Sequence, residues 1–198
     1  VSAPGGLPRA VPGAGDAQAR LFFALWPPPA VREALGAAAR ALCDCCGGRI
    51  TAADSIHLTL RFLGDTPVAA ERELRAAGAS AASAGHRFAL RFVRLGVWPH
   101  NGIGWAGVEV VAPELVALRA RLEATLDRCT LPPASHRERT RPFVPHVTLV
   151  RRAQPPRTAL PEIGAIDWPV DGLVLVRSRL GRSGPRYQVL DRWSLPRR

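Results

Sequence analysis

Lysine is missing from this sequence of 198 residues, and its 27 basic residues are all arginines. A high-GC coding bias accounts for Arg in place of Lys. It does not account for the excess over 16 acidic residues, which leaves a net charge of +11. That excess points to a polyanionic partner, because the guanidinium fork binds phosphate oxygens bidentately. It does not choose among RNA, DNA and a smaller phosphate ester. Also missing is any apolar run as long as a membrane span. The opening stretch, VSAPGGLPRAVPGAGDAQA, lacks a basic region followed by an apolar core, so it does not read as a secretory signal. Residues 1–19 are rich in Gly, Pro and Ala, show no periodicity, and read as a disordered leader. Cysteines are few: Cys43, Cys45, Cys46 and Cys129. The cluster CDCC has no zinc-ligand spacing, and no matching Cys/His pair follows it. The four are expected to be reduced structural thiols of a cytoplasmic protein, with Cys46 and Cys129 pointing inward.

What is present is ordinary for a globular chain, with 47% apolar and 22% charged residues. The length suits one domain, residues 20–198, or two small lobes sharing a core. RLFFALWPPP reads as a buried strand stopped by prolines. Val31, Leu35, Ala38, Leu42 and Cys46 recur at helical spacing, with Gly47-Gly48 closing the helix. SIHLTLRFLG alternates, with Ile56, Leu58, Leu60 and Phe62 on one face and His57, Thr59 and Arg61 on the other. A second helix is expected from Pro67. A hairpin follows, turning at PHNG (99–102). The clearest helix carries Leu115, Leu118, Leu122, Leu126 and Cys129 in its stripe. After a basic loop comes the strand FVPHVTLVRR. IDWPVDGLVLVRSRL and RYQVLDRWSL read as a closing hairpin.

Two of these strands share a motif. HLTL stands at 57–60 and HVTL at 146–149. With 5 His and 8 Thr in the chain, chance gives about 0.2 pairs spaced two apart. On a strand, residues i and i+2 project from the same face. His57 therefore projects with Thr59, and His146 with Thr148, while Leu58, Leu60, Val147 and Leu149 face the core. Each sequence half contains a helix followed by a motif strand, although the halves are otherwise unlike. Two similar lobes would bring the motif strands to a shared cleft. Two imidazoles and two hydroxyls around one volume suit a phosphodiester. One His takes a proton from water and the other gives one to the leaving oxygen. The Thr hydroxyls donate to the non-bridging oxygens as charge builds there. That chemistry asks for no metal, no cofactor and no nucleophilic Ser or Cys. A lone His beside a Thr on a strand is usually a surface or satisfied pair, so the weight lies in the repetition. A zinc site would need a third ligand that no local spacing offers. His86, His100 and His136 lack the Thr partner. His100 (in a turn) and His136 (in the basic loop) are expected to be solvated, with His136 a candidate substrate contact.

RLFFALWPP, HLTLRFLGD, RPFVPHVTLVRR and RSRLGRSGPRYQVLDRWSL together resemble the two-histidine phosphoesterase superfamily. Within it the sequence is most similar to the RNA 2′,3′-cyclic phosphodiesterases, also called 2′-5′ RNA ligases. The resemblance runs from about Arg20 to Leu195. It implies an α+β fold of two pseudo-symmetric lobes, each an antiparallel sheet with helices on the outside, and an active site in the cleft between them. It implies that His57 is the general acid on the departing 3′ oxygen and His146 the general base on water, giving a 2′-phosphomonoester. Thr59, Thr148 and Arg151 would meet the phosphate. Tyr187 and Arg186 would border the cleft, and Phe62 is expected in the core rather than as a stacking platform. The expected enzyme is a monomer in the cytoplasm, free of membrane and metal, acting on RNA or a cyclic nucleotide. The alternatives are a ligase joining RNA halves through a 2′-5′ bond, and a nucleotide- or RNA-binding module without catalysis.

Overall fold

The computed structural model describes residues 18–129, 131, 142–156, 158–181 and 184–197. Among them nine strands run in chain order: β1 (Gln18–Leu25), β2 (Arg49–Ile50), β3 (Leu58–Pro67), β4 (Phe88–Trp98), β5 (Ile103–Val108), β6 (His146–Arg151), β7 (Ile166–Val170), β8 (Gly172–Gly181) and β9 (Gly184–Ser194). Three α-helices lie between them: α1 (Pro29–Cys46), α2 (Glu71–Ser83) and α3 (Pro113–Leu126). The strands form one sheet in the order β7-β4-β5-β6-β3-β1-β8-β9, with β2 added to β6, and the pairings are antiparallel.

The sheet has a waist. β3 and β6 are bridged at a single pair, Leu58 opposite Val147. On one side lies the lobe β3-β1-β8-β9, on the other β6-β5-β4-β7. The expected α+β architecture of two antiparallel lobes is present, but the lobes are not the two halves of the sequence. α1 follows β1 in the chain yet packs under the other lobe, against β5, β6 and β7. α2 and α3 pack together beneath β3, β8 and β9. The final strands also return to the first lobe. IDWPVDGLVLVRSRL, read from sequence as one strand, breaks at Asp171: β7 pairs with β4, and β8 with β1. Pro169 fits that outcome, because a residue without an N–H is tolerated on an edge strand, which β7 is.

β1 shows why a near-continuous apolar run was needed. Leu21, Phe23 and Leu25 enter the main core under the helices, whereas Phe22 and Ala24 join Val174 and Val176 on the opposite face. Each of these Leu, Phe and Val side chains, fully buried, contributes roughly 1.5–3 kcal/mol. β1 begins at Gln18, two residues earlier than expected, with Ala19 already buried; the rest of the leader lies outside the described residues. α1 buries the residues its spacing named, with Ala39 beside them. It starts at Pro29 and stops where Gly47 takes φ 63 and its N–H donates to the Cys43 carbonyl at 2.7 Å. Cys46 is buried and Cys129 half-buried, and the four thiols are unpaired. α2 begins at Glu71 rather than Pro67, because β3 runs on to Pro67 and a short 3₁₀ turn intervenes.

The alternation of the first motif strand is also corrected. Thr59 pairs with Ala24 and Arg61 with Phe23, so Leu60 is an extra residue, a β-bulge. Past the bulge the faces exchange. Arg61, expected beside His57 and Thr59, turns under the sheet, where it is 8% exposed and meets Glu123 of α3 at 2.9 Å. Phe62, expected in the core, emerges on the cleft face beneath the guanidinium of Arg20, 4.9 Å from the ring centre.

Candidate active site

The waist builds the site. Leu58 and Val147 face the core and are fully buried, so the residues on either side of each project to the opposite face. In an antiparallel pair centred on Leu58 and Val147, the next positions set His57 opposite Thr148 and His146 opposite Thr59. Each histidine thus shares a cavity with the other motif's threonine, His57 with Thr148 and His146 with Thr59. The two pairs are legible in the sequence; their arrangement across the waist comes from the register.

The two histidines are held alike. His57 Nδ1 lies 2.7 Å from the Ser55 carbonyl and His146 Nδ1 lies 2.8 Å from the Val144 carbonyl, in each case two residues back in the chain. A carbonyl only accepts, so Nδ1 carries the proton on both rings and Nε2 is the atom left to exchange one. Rings fix the orientation. Trp26 stacks on His57 at 5.5 Å and 7°, Phe22 lies at 4.9 Å, and Tyr187 stands edge-on at 5.1 Å. Trp98 meets His146 edge-on at 4.6 Å and rests on Trp105. Trp105 in turn lies flat across Gly96, where an added Cβ would come within 2.1 Å of its ring. Burial pushes the His57 imidazolium pKa down to about 4, against the opposing hydrogen bond to Ser55; Arg151 and His146 push it the same way as burial does. Burial also lowers that of His146. Both rings are therefore neutral at pH 7.

A central cavity of about 340 Å³ is lined by His57, Thr59, Thr148, Arg151, Tyr187 and Phe22, with Arg20, Phe62 and Ser178 at its wall. Arg151 is placed by the end of β6, where Arg152 takes φ 57 and stops the strand. A second cavity of about 510 Å³ lies on the His146 side, walled by Trp98, Phe143 and Arg119 and sharing Thr59 and Phe62 with the first. His100, expected to be solvated, is exposed but borders this second cavity. Arg186 is exposed beside Tyr187 on β9 and does not line either cavity. His136 lies outside the described residues. Sequence reasoning missed Phe22, Trp26 and Trp98, whose contacts with the histidines are all long-range. Among the described residues no group of three or more His, Cys, Asp or Glu is placed to hold a metal ion. No described helix is long and apolar enough to cross a membrane.

The chain is similar to known proteins over most of its length. The family model described as the 2′-5′ RNA ligase superfamily matches residues 26–182. A protein of Thermus thermophilus named RNA 2′,3′-cyclic phosphodiesterase is 34% identical over 89% of this chain and 90% of its own length. One of the same name from Escherichia coli is 31% identical over 89% of this chain and 96% of its own. The crystal structure of E. coli LigT complexed with 3′-AMP superposes with a TM-score of 0.78 at 30% identity, covering 90% of this chain and 99% of that one.

Proposed function

Because the chain belongs to the 2′-5′ RNA ligase superfamily, we propose that it hydrolyses 2′,3′-cyclic phosphate ends of RNA to 2′-phosphomonoesters. The observation that carries this reading is the pair of imidazoles held alike through Nδ1, which leaves each Nε2 to exchange a proton: His57 lines the arginine-walled central cavity and His146 the adjoining one, and the two cavities share Thr59. His146 Nε2 takes a proton from water as the oxygen attacks phosphorus. The P–O3′ bond breaks on the far side, and His57 Nε2 gives its proton to O3′. Thr59 and Thr148 donate to the non-bridging oxygens, and Arg151 balances their charge. An anionic substrate entering beside His57 raises its pKa from the low value that burial sets, so the acid is charged by the substrate it serves. Both histidines come from one chain, which supports a site complete in a monomer. The names and titles of the relatives support RNA or nucleotide as substrate.

The second cavity supports another use of the same site. A nucleoside hydroxyl lodged on the His146 side would replace water and give a 2′-5′ bond instead of a free phosphate. Water at its bulk concentration favours hydrolysis unless it is excluded.

The test is turnover of an oligonucleotide ending in a 2′,3′-cyclic phosphate, in the presence of EDTA, with phosphorus NMR of the product. The expected result is undiminished hydrolysis to the 2′-phosphate. A binding module would give no turnover. A 3′-phosphate would mean that the substrate lies the other way round or that acid and base are exchanged. Activity lost to the chelator and restored by zinc would remove the two-histidine account.

A further inference from the structure

A recess of about 210 Å³ adjoins the central cavity and shares Arg151, Pro185 and Tyr187 with it. Its remaining wall includes Arg49, Thr51 and Ser55, and no acidic residue is among the described residues that line it. Arg49 belongs to β2 in one lobe. Its guanidinium lies against Gly184, at the start of β9 in the other: a Cβ added to Gly184 would stand 2.6 Å from Nη1. Gly184 has φ +115, a conformation that other residues rarely adopt, so the strand presents bare backbone to the guanidinium at this point. The recess is small, cationic and edged by hydroxyls, which suits a phosphate better than a base.

Its position says which phosphate. In the proposed reaction O3′ departs toward His57, so the terminal ribose sits on the His57 side of the central cavity, beside Tyr187. An RNA end carries one further anion there, the phosphodiester on the 5′ oxygen of that ribose. A cyclic mononucleotide lacks it. We infer that the Arg49 recess binds the penultimate phosphodiester, and that this chain selects RNA ends over cyclic mononucleotides. The inference rests on the hydrolytic reading and names the substrate class of that same site.

The experiment compares kcat/KM of the full chain on three substrates with the same terminal 2′,3′-cyclic nucleotide: the mononucleotide, the dinucleotide, and the dinucleotide with a neutral methylphosphonate linkage. The dinucleotide is expected to exceed the mononucleotide by about tenfold, the scale of one charge-assisted contact, and the methylphosphonate to lose that advantage. Arg49→Gln is expected to lower the dinucleotide-to-mononucleotide ratio by the same factor. Equal rates on mono- and dinucleotide, or a methylphosphonate as good as the natural linkage, would overturn the inference, and neither comparison needs a variant to fold. If no cyclic substrate is turned over, the hydrolytic reading fails. The recess is then judged by calorimetry, as the affinity of the dinucleotide 2′-phosphate over the mononucleoside 2′-phosphate. A ratio unmoved by Arg49→Gln would count against it.

Discussion

His57 and His146 each give Nδ1–H to a carbonyl two residues back, so proton traffic is confined to Nε2. The pH dependence follows with its sign. The proposed active form has His57 protonated and His146 neutral, and burial lowers both pKa values, His57 to about 4. kcat/KM reports the free enzyme, so its bell should peak below pH 6.5, with limbs that belong to the coupled pair. kcat reports the complex, where the bound anion raises His57, so its bell should lie at higher pH. Binding should accordingly take up protons near pH 7, measurable by calorimetry in buffers of different ionisation enthalpy. A kcat/KM optimum above pH 7 with no proton uptake would contradict this. At this scale the sequence was most readable, since two-residue spacing on a strand projects His and Thr together whatever the tertiary fold. The aromatic rings around them were not readable. Trp26 and Trp98 reach the histidines only through contacts distant in sequence, which no local pattern encodes.

At the scale of elements, the bulge at Leu60 makes β3 serve two surfaces. Before it, His57 and Thr59 face the cleft; after it, Phe62 does, and Arg61 is driven under the sheet onto Glu123. Alternation in the sequence continues smoothly through the bulge. A period-two reading therefore placed Arg61 and Phe62 on the wrong faces, because an inserted residue leaves no mark in a run of apolar and polar letters. The buried ion pair carries a prediction. Arg61→Ala takes from Glu123 the nearer of its two guanidinium partners, leaving Arg119 at 3.5 Å, and should cost about 2–3 kcal/mol in denaturant unfolding, below the full penalty of a wholly buried pair. Arg61→Leu with Glu123→Leu should recover most of the loss. A single mutant as stable as the parent would show that the pair contributes nothing. The break at Asp171 escaped the sequence for a related reason: IDWPV and GLVLV are both good strands, and only their partners, β4 and β1, divide them between lobes.

At the scale of the molecule, each lobe supplies one motif strand and the waist brings the two together. The sequence showed two strands with one motif and an excess of arginine, enough to foresee a shared anionic substrate. It did not show that α1 crosses beneath the other lobe, because a helix records its apolar stripe and not the sheet that covers it. The central claim, two histidines from two lobes dividing acid and base between them, is tested most directly by removing each in turn. kcat/KM would be measured for His57→Ala and His146→Ala on a 2′,3′-cyclic phosphate end and on a nitrophenyl phosphodiester, whose leaving group needs no proton. His146→Ala should lose about 10²–10⁴-fold on both substrates, the range of positioned proton transfer. His57→Ala should lose as much on the cyclic phosphate and far less on the nitrophenyl ester. Near-normal turnover by either folded variant on the cyclic phosphate, or equal losses by His57→Ala on both substrates, would contradict the account.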